Sequence, residues 1–574
     1  MRLLNLEIHN LRGIQNGSID FPADNRFICL IGSGDGTKST ILLAIEWLFN
    51  KTWNLTVCDN DFYNGNTEND IVIRGTFTEF PEQFMAEDKF GLYLRKSGVP
   101  YDGLTNDEPE DSSPLCLTIQ LTVDSSLEPH WRIICNRAEP KPISNRERSK
   151  LAVECVGDNC SKDLAWGRYS ILQKYADAKG VLHDAYTQAL REAAGRVNLE
   201  QLDELSGDIV GIGKEFGVGF ENSVQNRLLI QNGSFSASAG LYDGSVPLNL
   251  RGLGSQRLLS MGLNITAHKD GTILLIDEVE HGLEPYRLRT LINKLRSQSS
   301  AGGQVIITTH SPVVLTECSV SELAITHSCG GQTTVYTLNN RFEGGISTQL
   351  QQQIRSDPDA FLSKTLIVCE GKTECGFIKS LDDFMDKTLG CRLAYKGIGI
   401  ALGGGENTFD YAKAFRDCGY PLSIFMDSDK EDEVSKKEEY RTSLGISIFD
   451  WAYPNSIEQQ LFLDLPDKLV QQLLDIAVNE KGIETIQTAL KAKSIPYSIS
   501  DDQILLTDFS VDVRQNLASL AKQKSKKGRI GEWYKRIDLG RMVGDVVFDN
   551  WSEIDPNSQI YKTITSIIKW VENL

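Results

Sequence analysis

Residues 32–40, Gly-Ser-Gly-Asp-Gly-Thr-Lys-Ser-Thr, decide how the first half of this chain folds. They follow the apolar run RFICLIG (26–32) and open into STILLAIEWLFN (39–50), whose apolar residues recur at helical spacing. A strand running through a glycine cluster into a helix is the setting a phosphate-binding loop requires. Small residues at Gly32, Ser33, Gly34, Asp35 and Gly36 let backbone N–H groups turn inward around phosphate oxygens. The helix start at Thr37, Lys38, Ser39 and Thr40 adds its partial positive charge. Lys38 would reach the outer phosphates of ATP, and the Ser39 hydroxyl would take one position on Mg²⁺. Gly32 and Lys38 have the spacing of G-x-x-x-x-G-K-[ST], but Thr37 stands where that pattern has glycine. Gly36 is expected to carry the tight turn in its place.

The partners of such a loop lie far along the chain. Thr272–Asp277 (TILLID) has the pattern of a buried parallel strand and ends in the acids Asp277, Glu278 and Glu280. Asp277 is placed to hold Mg²⁺, and Glu278 to polarise the attacking water. Gln304–Thr309 (QVIITT) is another buried strand, and His310 at its end reads as a γ-phosphate sensor. Between loop and acids lies Arg251-Gly252-Leu253-Gly254-Ser255-Gln256, running into a helix. This glycine-rich, Gln-containing helix start resembles the signature motif of ABC-type ATPases. The resemblance implies that Gly254, Ser255 and Gln256 cover the nucleotide bound to a second copy, making a homodimer or larger homo-oligomer the working unit. The long stretch between Lys38 and Asp277 would hold strands at Ile71–Phe77 and Leu117–Val123. It would also hold a compact helical insertion at about 160–215, too short for a coiled-coil arm and suited to subunit contact.

After Pro358 the pattern restarts. Thr365–Cys369 (TLIVC) ends in Glu370-Gly371-Lys372-Thr373-Glu374 and a helix; LAYKGIGIAL ends in a glycine turn; Leu422–Phe425 leads to Asp427-Ser428-Asp429. Strand–helix alternation predicts a second small parallel sheet. Its strand-end acids Glu370, Glu374, Asp427 and Asp429 would repel one another unless divalent cations neutralised them. Oxygen-only ligands of this kind suit Mg²⁺ or Mn²⁺, and two such ions could activate water and stabilise the leaving oxygen of a phosphodiester. The region resembles a TOPRIM domain. In TOPRIM domains fused to ATPases, a later acid at a helix start resembles a ligand of the second metal, and Glu458 matches it. Further on come Lys522, Lys524, Lys526, Lys527, Arg529, Lys535 and Arg536, with Trp533 and Tyr534 interleaved. This is a candidate contact for DNA phosphates with base stacking on the aromatics. Lys527 or Lys535 could also stabilise the pentavalent phosphate.

The chain has 574 residues, enough for two to four domains, and 78 acidic against 59 basic residues give a net charge of −19. A surface that acidic does not coat itself in nucleic acid nonspecifically, so binding must be local or metal-mediated. No apolar run approaches the roughly 18 residues of a membrane helix, which excludes a membrane reading. The start lacks an apolar signal core. The 12 cysteines include no CxxC pair and fit a reduced, cytoplasmic chain.

An ABC-type head with a helical insertion, followed by E-G-x-x-E and D-x-D, is similar to the layout of the OLD family (overcoming lysogenisation defect), whose members include Gabija-type and retron-associated anti-phage nucleases. The expected fold is therefore α/β throughout: an ABC-type ATPase domain over 1–355, then a TOPRIM domain with a basic helical end over 356–574. The resemblance implies an ATP-regulated, divalent-metal-dependent DNA endonuclease in antiviral defence, with a defence-system protein or RNA as a further partner. The competing expectation is a non-nucleolytic, ATP-gated sensor that controls another effector. A recombination or repair ATPase fits less well, because such heads do not usually carry an E…D-x-D domain. Topoisomerase and primase readings lack a recognisable tyrosine-bearing cleavage domain or room for a zinc module.

Overall fold

The strand Phe27–Gly32 is buried along its whole length, as an apolar run inside a parallel sheet must be. It lies between Gln304–Thr308 and Leu323–Cys329, parallel to both, and Ile273–Ile276 follows on the far side of Gln304–Thr308. Because these strands are parallel, the phosphate loop, the acids after Ile276 and His310 all emerge at one sheet edge. The same sheet continues into an antiparallel lobe in which Arg2–Leu11 pairs with Ile14–Asp20 and Ile71–Thr78, and Ile71–Thr78 with Leu115–Val123. Among the described residues this sheet has thirteen strands. The computed structural model describes residues 1–574 apart from 23–24, 35, 111–113, 157–163, 165–169, 179–199, 230–237, 268–270, 301, 339–344, 501–502 and 524–531.

The chain divides into two compact units, Met1–Arg341 and Phe342–Leu574. The division falls earlier than position 355 because the helix Gly345–Ser356 packs against Thr408–Asp417 of the second unit. Of the insertion expected over about 160–215, helices Ile171–Ala178 and Glu200–Glu215 are described, and both pack on the helix Leu253–Ala267. Most of the remainder lies outside the described residues. A small antiparallel sheet of Val224–Leu229, Ser238–Asp243 and Val246–Pro247 follows it. No helix among the described residues is long and apolar enough to cross a membrane.

The second unit is built on a parallel sheet in the order Ile398–Leu402, Thr365–Cys369, Leu422–Phe425, Ser447–Phe449. Strands ending in Cys369 and Phe425 are direct neighbours, so the acids that follow them meet. The helix Lys372–Leu389, which carries Glu374, is crossed closely by Ile537–Phe548. A Cβ on Gly376 would lie 2.1 Å from the Ile537 carbonyl oxygen, and one on Gly540 2.3 Å from that of Thr373. Two facing glycines thus let the helix Ile537–Phe548 clamp the start of the Glu374 helix beside the acidic cluster.

Candidate functional site

In the first unit a cavity of about 340 Å³ is lined by Gly34, Thr37, Lys38, Ser39, Thr40, Glu278, Thr308 and His310. The loop differs from expectation at its turn. Thr37, not Gly36, takes the left-handed conformation (φ 61°), while the Gly36 N–H donates to the Ser33 carbonyl at 3.0 Å. The side chain that the motif usually avoids is held there: Thr37 Oγ1 donates to the Gly36 carbonyl at 2.6 Å. Lys38 is buried, its Nζ donating to the carbonyls of Gly32 (3.1 Å) and Ser33 (2.7 Å). Asp35 lies outside the described residues.

Ser39 Oγ donates to Asp277 Oδ1 at 3.2 Å, so the hydroxyl at the helix start meets the carboxylate at the strand end, two oxygens that would suit a divalent ion. Thr308 Oγ1 donates to the same oxygen and accepts from the Glu278 N–H at 2.9 Å. Glu278 itself sits in the left-handed region (φ 44°) with its side chain more than half exposed at the cavity. Glu280 has a different task. It accepts from Thr309 Oγ1 (2.6 Å) and the His310 N–H (2.7 Å), pinning the histidine turn. Burial, aided by the Lys38 ammonium, holds the His310 pKa below its ordinary value against the nearby acids. The imidazole is therefore neutral at pH 7 and can donate to phosphate from one nitrogen.

Gly254, Ser255 and Gln256, expected to act as a signature motif, do not line this cavity. They open the helix Leu253–Ala267, whose Gly254 lies so close to the acidic turn that a Cβ would meet the Gly282 carbonyl at 2.2 Å. Arg257, one turn on, donates to the Asp277 carbonyl at 2.6 Å. The helix Leu253–Ala267 and the acidic turn thus form one packed piece.

In the second unit a cavity of about 1020 Å³ brings together Glu370, Glu374, Asp427, Asp429 and Glu458. Glu370 Oε2 accepts the Asp427 N–H at 3.0 Å, and Asp427 Oδ1 accepts the Ile457 N–H at 2.8 Å. Ser456 caps the helix Ile457–Asp464 and its hydroxyl also donates to Glu458 Oε2 at 2.9 Å. Burial, reinforced by the Glu458 charge, pushes the Glu374 pKa up to about 8. Asp427 is raised well above its ordinary value, first by burial and then by Glu374, Glu458 and Glu370. Glu370 is raised by burial, partly offset by the Asp427 N–H and Lys430.

Hard carboxylate oxygens that are costly to ionise together are a donor set suited to Mg²⁺ or Mn²⁺. Yet among the described residues no three His, Cys, Asp or Glu side chains are arranged to hold one ion. Several of the acids have protein partners: Glu370 and Asp427 each accept a backbone N–H, Lys430 stands 3.6 Å from Glu370, and Lys522 pairs with Asp429. Ions would have to draw the acids out of these contacts.

The basic stretch is corrected by the structure. Trp533 and Tyr534 are wholly buried, and Tyr534 Oη donates to the Leu473 carbonyl at 2.8 Å, so neither ring offers a base-stacking surface. Aromatic rings flanked by lysines gave a surface reading, but they fill the core of the second unit. Lys522 and Lys535 line the large cavity, Lys535 standing 3.4 Å from Glu532. Arg536 instead pairs with Glu480 and Asp538. Lys524, Lys526, Lys527 and Arg529 lie outside the described residues. Sequence reasoning assigned no role to Lys430, Lys493 or Asp450. Lys430 adjoins the D-x-D and could have been suspected; Lys493 reaches the cavity wall only through tertiary packing.

Comparison with known proteins divides along the same line. Residues 1–180 match an AAA ATPase domain family, and 190–316 an AAA domain family tied in its description to the AbiEii toxin of a type IV TA system. Residues 361–429 match the TOPRIM domain of overcoming lysogenization defect protein-like chains. The chain is thus similar to AAA ATPase domains over its first part and to an OLD-like TOPRIM domain after them. The chain is also similar to a curated relative, the Old nuclease of Escherichia phage P2, at 27% identity over 195 residues. That match takes in 31% of this chain, and the chain spans about a third (33%) of the relative's length. Among solved structures the chain has a weak likeness to an Smc head bound to the C-winged helix domain of ScpA (TM-score 0.39, 14% identity, 59% of this chain and 98% of that one). An SMC head domain from Thermotoga maritima gives TM-score 0.30 at 14% identity, over 59% of this chain and 99% of that one.

Proposed function

We propose that this protein is an ATP-regulated, divalent-metal-dependent DNA endonuclease acting in antiviral defence. The observation that carries the reading is the convergence of Glu370, Glu374, Asp427, Asp429 and Glu458 on one cavity, whose rim is lysine-rich. Glu370, Asp427 and Asp429, with Glu374 and Glu458, would hold Mg²⁺ or Mn²⁺. Bound there, such ions supply Lewis acidity that activates water and stabilises the leaving oxygen. The chain's own contribution is to hold the acids on rigid strand ends and to keep Lys535 and Lys522 beside the phosphate path. The test is plasmid nicking by the full chain with Mg²⁺ or Mn²⁺, with and without ATP. No cleavage in any nucleotide state would sink the proposal.

Regulation by ATP rests on the first unit. Its cavity presents Lys38, Ser39, Glu278 and His310, with Asp277 hydrogen-bonded to Ser39, while Gly254, Ser255 and Gln256 stay outside it. That exclusion supports a composite site closed by a second copy. Lys38→Ala should weaken nucleotide binding by about 100-fold or more, since it removes the charge that meets the outer phosphates. Glu278→Gln should bind ATP normally and stop turnover, and His310→Ala should share that defect. Fluorescent-nucleotide binding alongside phosphate release would check all three. Turnover at the wild-type rate in Glu278→Gln would take the water-polarising role away from this residue.

A sensor without nuclease activity is favoured by one observation, the occupation of Asp429 and Glu370 by lysine partners. Phage protection that survives both Glu370→Ala and Asp427→Ala would select it.

A further inference from the structure

Behind the acidic cluster lies a buried lysine that the metal reading does not use. Lys437, on the helix Glu433–Thr442, is 4% exposed. Its Nζ donates to the Asp427 carbonyl at 2.5 Å, to Ser428 Oγ at 2.8 Å and to Asp450 Oδ2 at 3.2 Å. All three ammonium hydrogens are thus committed. Ser428 Oγ donates in turn to Asp450 Oδ2 at 3.1 Å, and the Ser428 N–H to the Asn455 carbonyl at 3.0 Å. Arg441, one helical turn beyond Lys437, holds the other Asp450 oxygen at 2.9 Å. Asp450 follows the strand Ser447–Phe449, the neighbour of the strand that delivers Asp427.

The turn therefore alternates. Asp427 and Asp429 line the cavity, while Ser428 between them is turned back into a charged network. An ammonium buried this deeply is tolerated only when its partners are fixed, because desolvation must be offset by well-placed oxygens. Those oxygens belong to the turn that separates the two acids.

We infer that Lys437 is a positioning residue of the metal site: through Ser428 and the Asp427 carbonyl it sets the separation of the Asp427 and Asp429 carboxylates, and with it the affinity for divalent ions. The inference rests on the metal reading proposed above. Supports that touch no ion but orient its ligands alter metal affinity strongly. Loss of this one should weaken metal binding more than it slows cleavage at saturating metal.

The test measures Mn²⁺ binding directly, from the electron paramagnetic resonance signal of free Mn²⁺, together with the Mn²⁺ dependence of cleavage, all on the full chain. Lys437→Met should need roughly 10- to 100-fold more Mn²⁺ for half-saturation, with the rate at saturating Mn²⁺ within a few-fold of wild type. Lys437→Arg should recover part of the loss. Ser428→Ala keeps the lysine's bonds to Asp450 and to the Asp427 carbonyl and removes only the hydroxyl's links to Lys437 and Asp450. It should shift half-saturation in the same direction by a smaller factor, and it carries the test should Lys437→Met not fold. Wild type that binds Mn²⁺, with variants whose half-saturation stays within about two-fold of it, would overturn the role of Lys437 alone. Wild type that binds no Mn²⁺ would overturn the metal reading and this inference together.

Discussion

Asp427→Asn is expected to lower metal-dependent cleavage by more than about 100-fold, beyond what losing an outer support costs, because it removes a charge that faces the ion directly. The fold should survive. Asp427 accepts the Ile457 N–H through Oδ1, and an asparagine carbonyl can accept the same bond. The carboxyl pKa lies well above its ordinary value, so the metal-free fold already favours the uncharged acid that asparagine imitates. Without metal the variant should therefore melt at or above the wild-type temperature. Nucleotide binding belongs to the first unit and should be unchanged. Thermal-shift titration with Mn²⁺ decides the matter: an equal metal-induced shift in wild type and Asp427→Asn would mean that these acids are not the ligands.

The second expectation is a pH dependence whose sign follows from Glu374. Burial and the Glu458 charge raise its pKa from an ordinary 4.5 to about 8. Between those values the folded chain keeps the proton and the unfolded chain releases it. Stability is thus fully present below about pH 4.5 and is lost as pH rises through about 8, because the folded state binds more protons. Each unit of upward shift accounts for about 1.4 kcal/mol, so the metal-free protein should lose several kcal/mol over this range. Divalent metal should oppose the loss, giving a larger Mn²⁺-induced rise in Tm at pH 8 than at pH 5.5. Glu374→Gln removes one of the raised acids and should lessen the slope of the metal-free profile, the remainder coming from Asp427 and Glu370. Melting curves in chelator across this range would check it, and superimposable profiles for wild type and Glu374→Gln would remove Glu374 as the cause.

Much of this molecule is legible in its amino-acid sequence, for a local physical reason. A phosphate loop is a short continuous segment whose glycines, lysine and hydroxyl act through their own backbone, so residues 32–40 announce it. Apolar runs such as TILLID and TLIVC read as buried strands because both faces are covered, and acids at their ends must then appear at a sheet edge. What those patterns leave open is everything set by approach between distant segments. Whether Gly36 or Thr37 would turn left-handed depended on how the loop packs, and Thr37 Oγ1 also meets Thr333 Oγ1 at 3.2 Å, far along the chain. Trp533 and Tyr534 sit among charges in sequence yet fill a core, because the segment that carries them folds inward. Lys437 lies in the mixed-charge run EVSKKEEYRT, which on its own reads as a solvated helix. Tertiary packing alone buried it behind Asp427, since a lysine's partners there come from a strand end and a turn that only the folded sheet brings within hydrogen-bond reach.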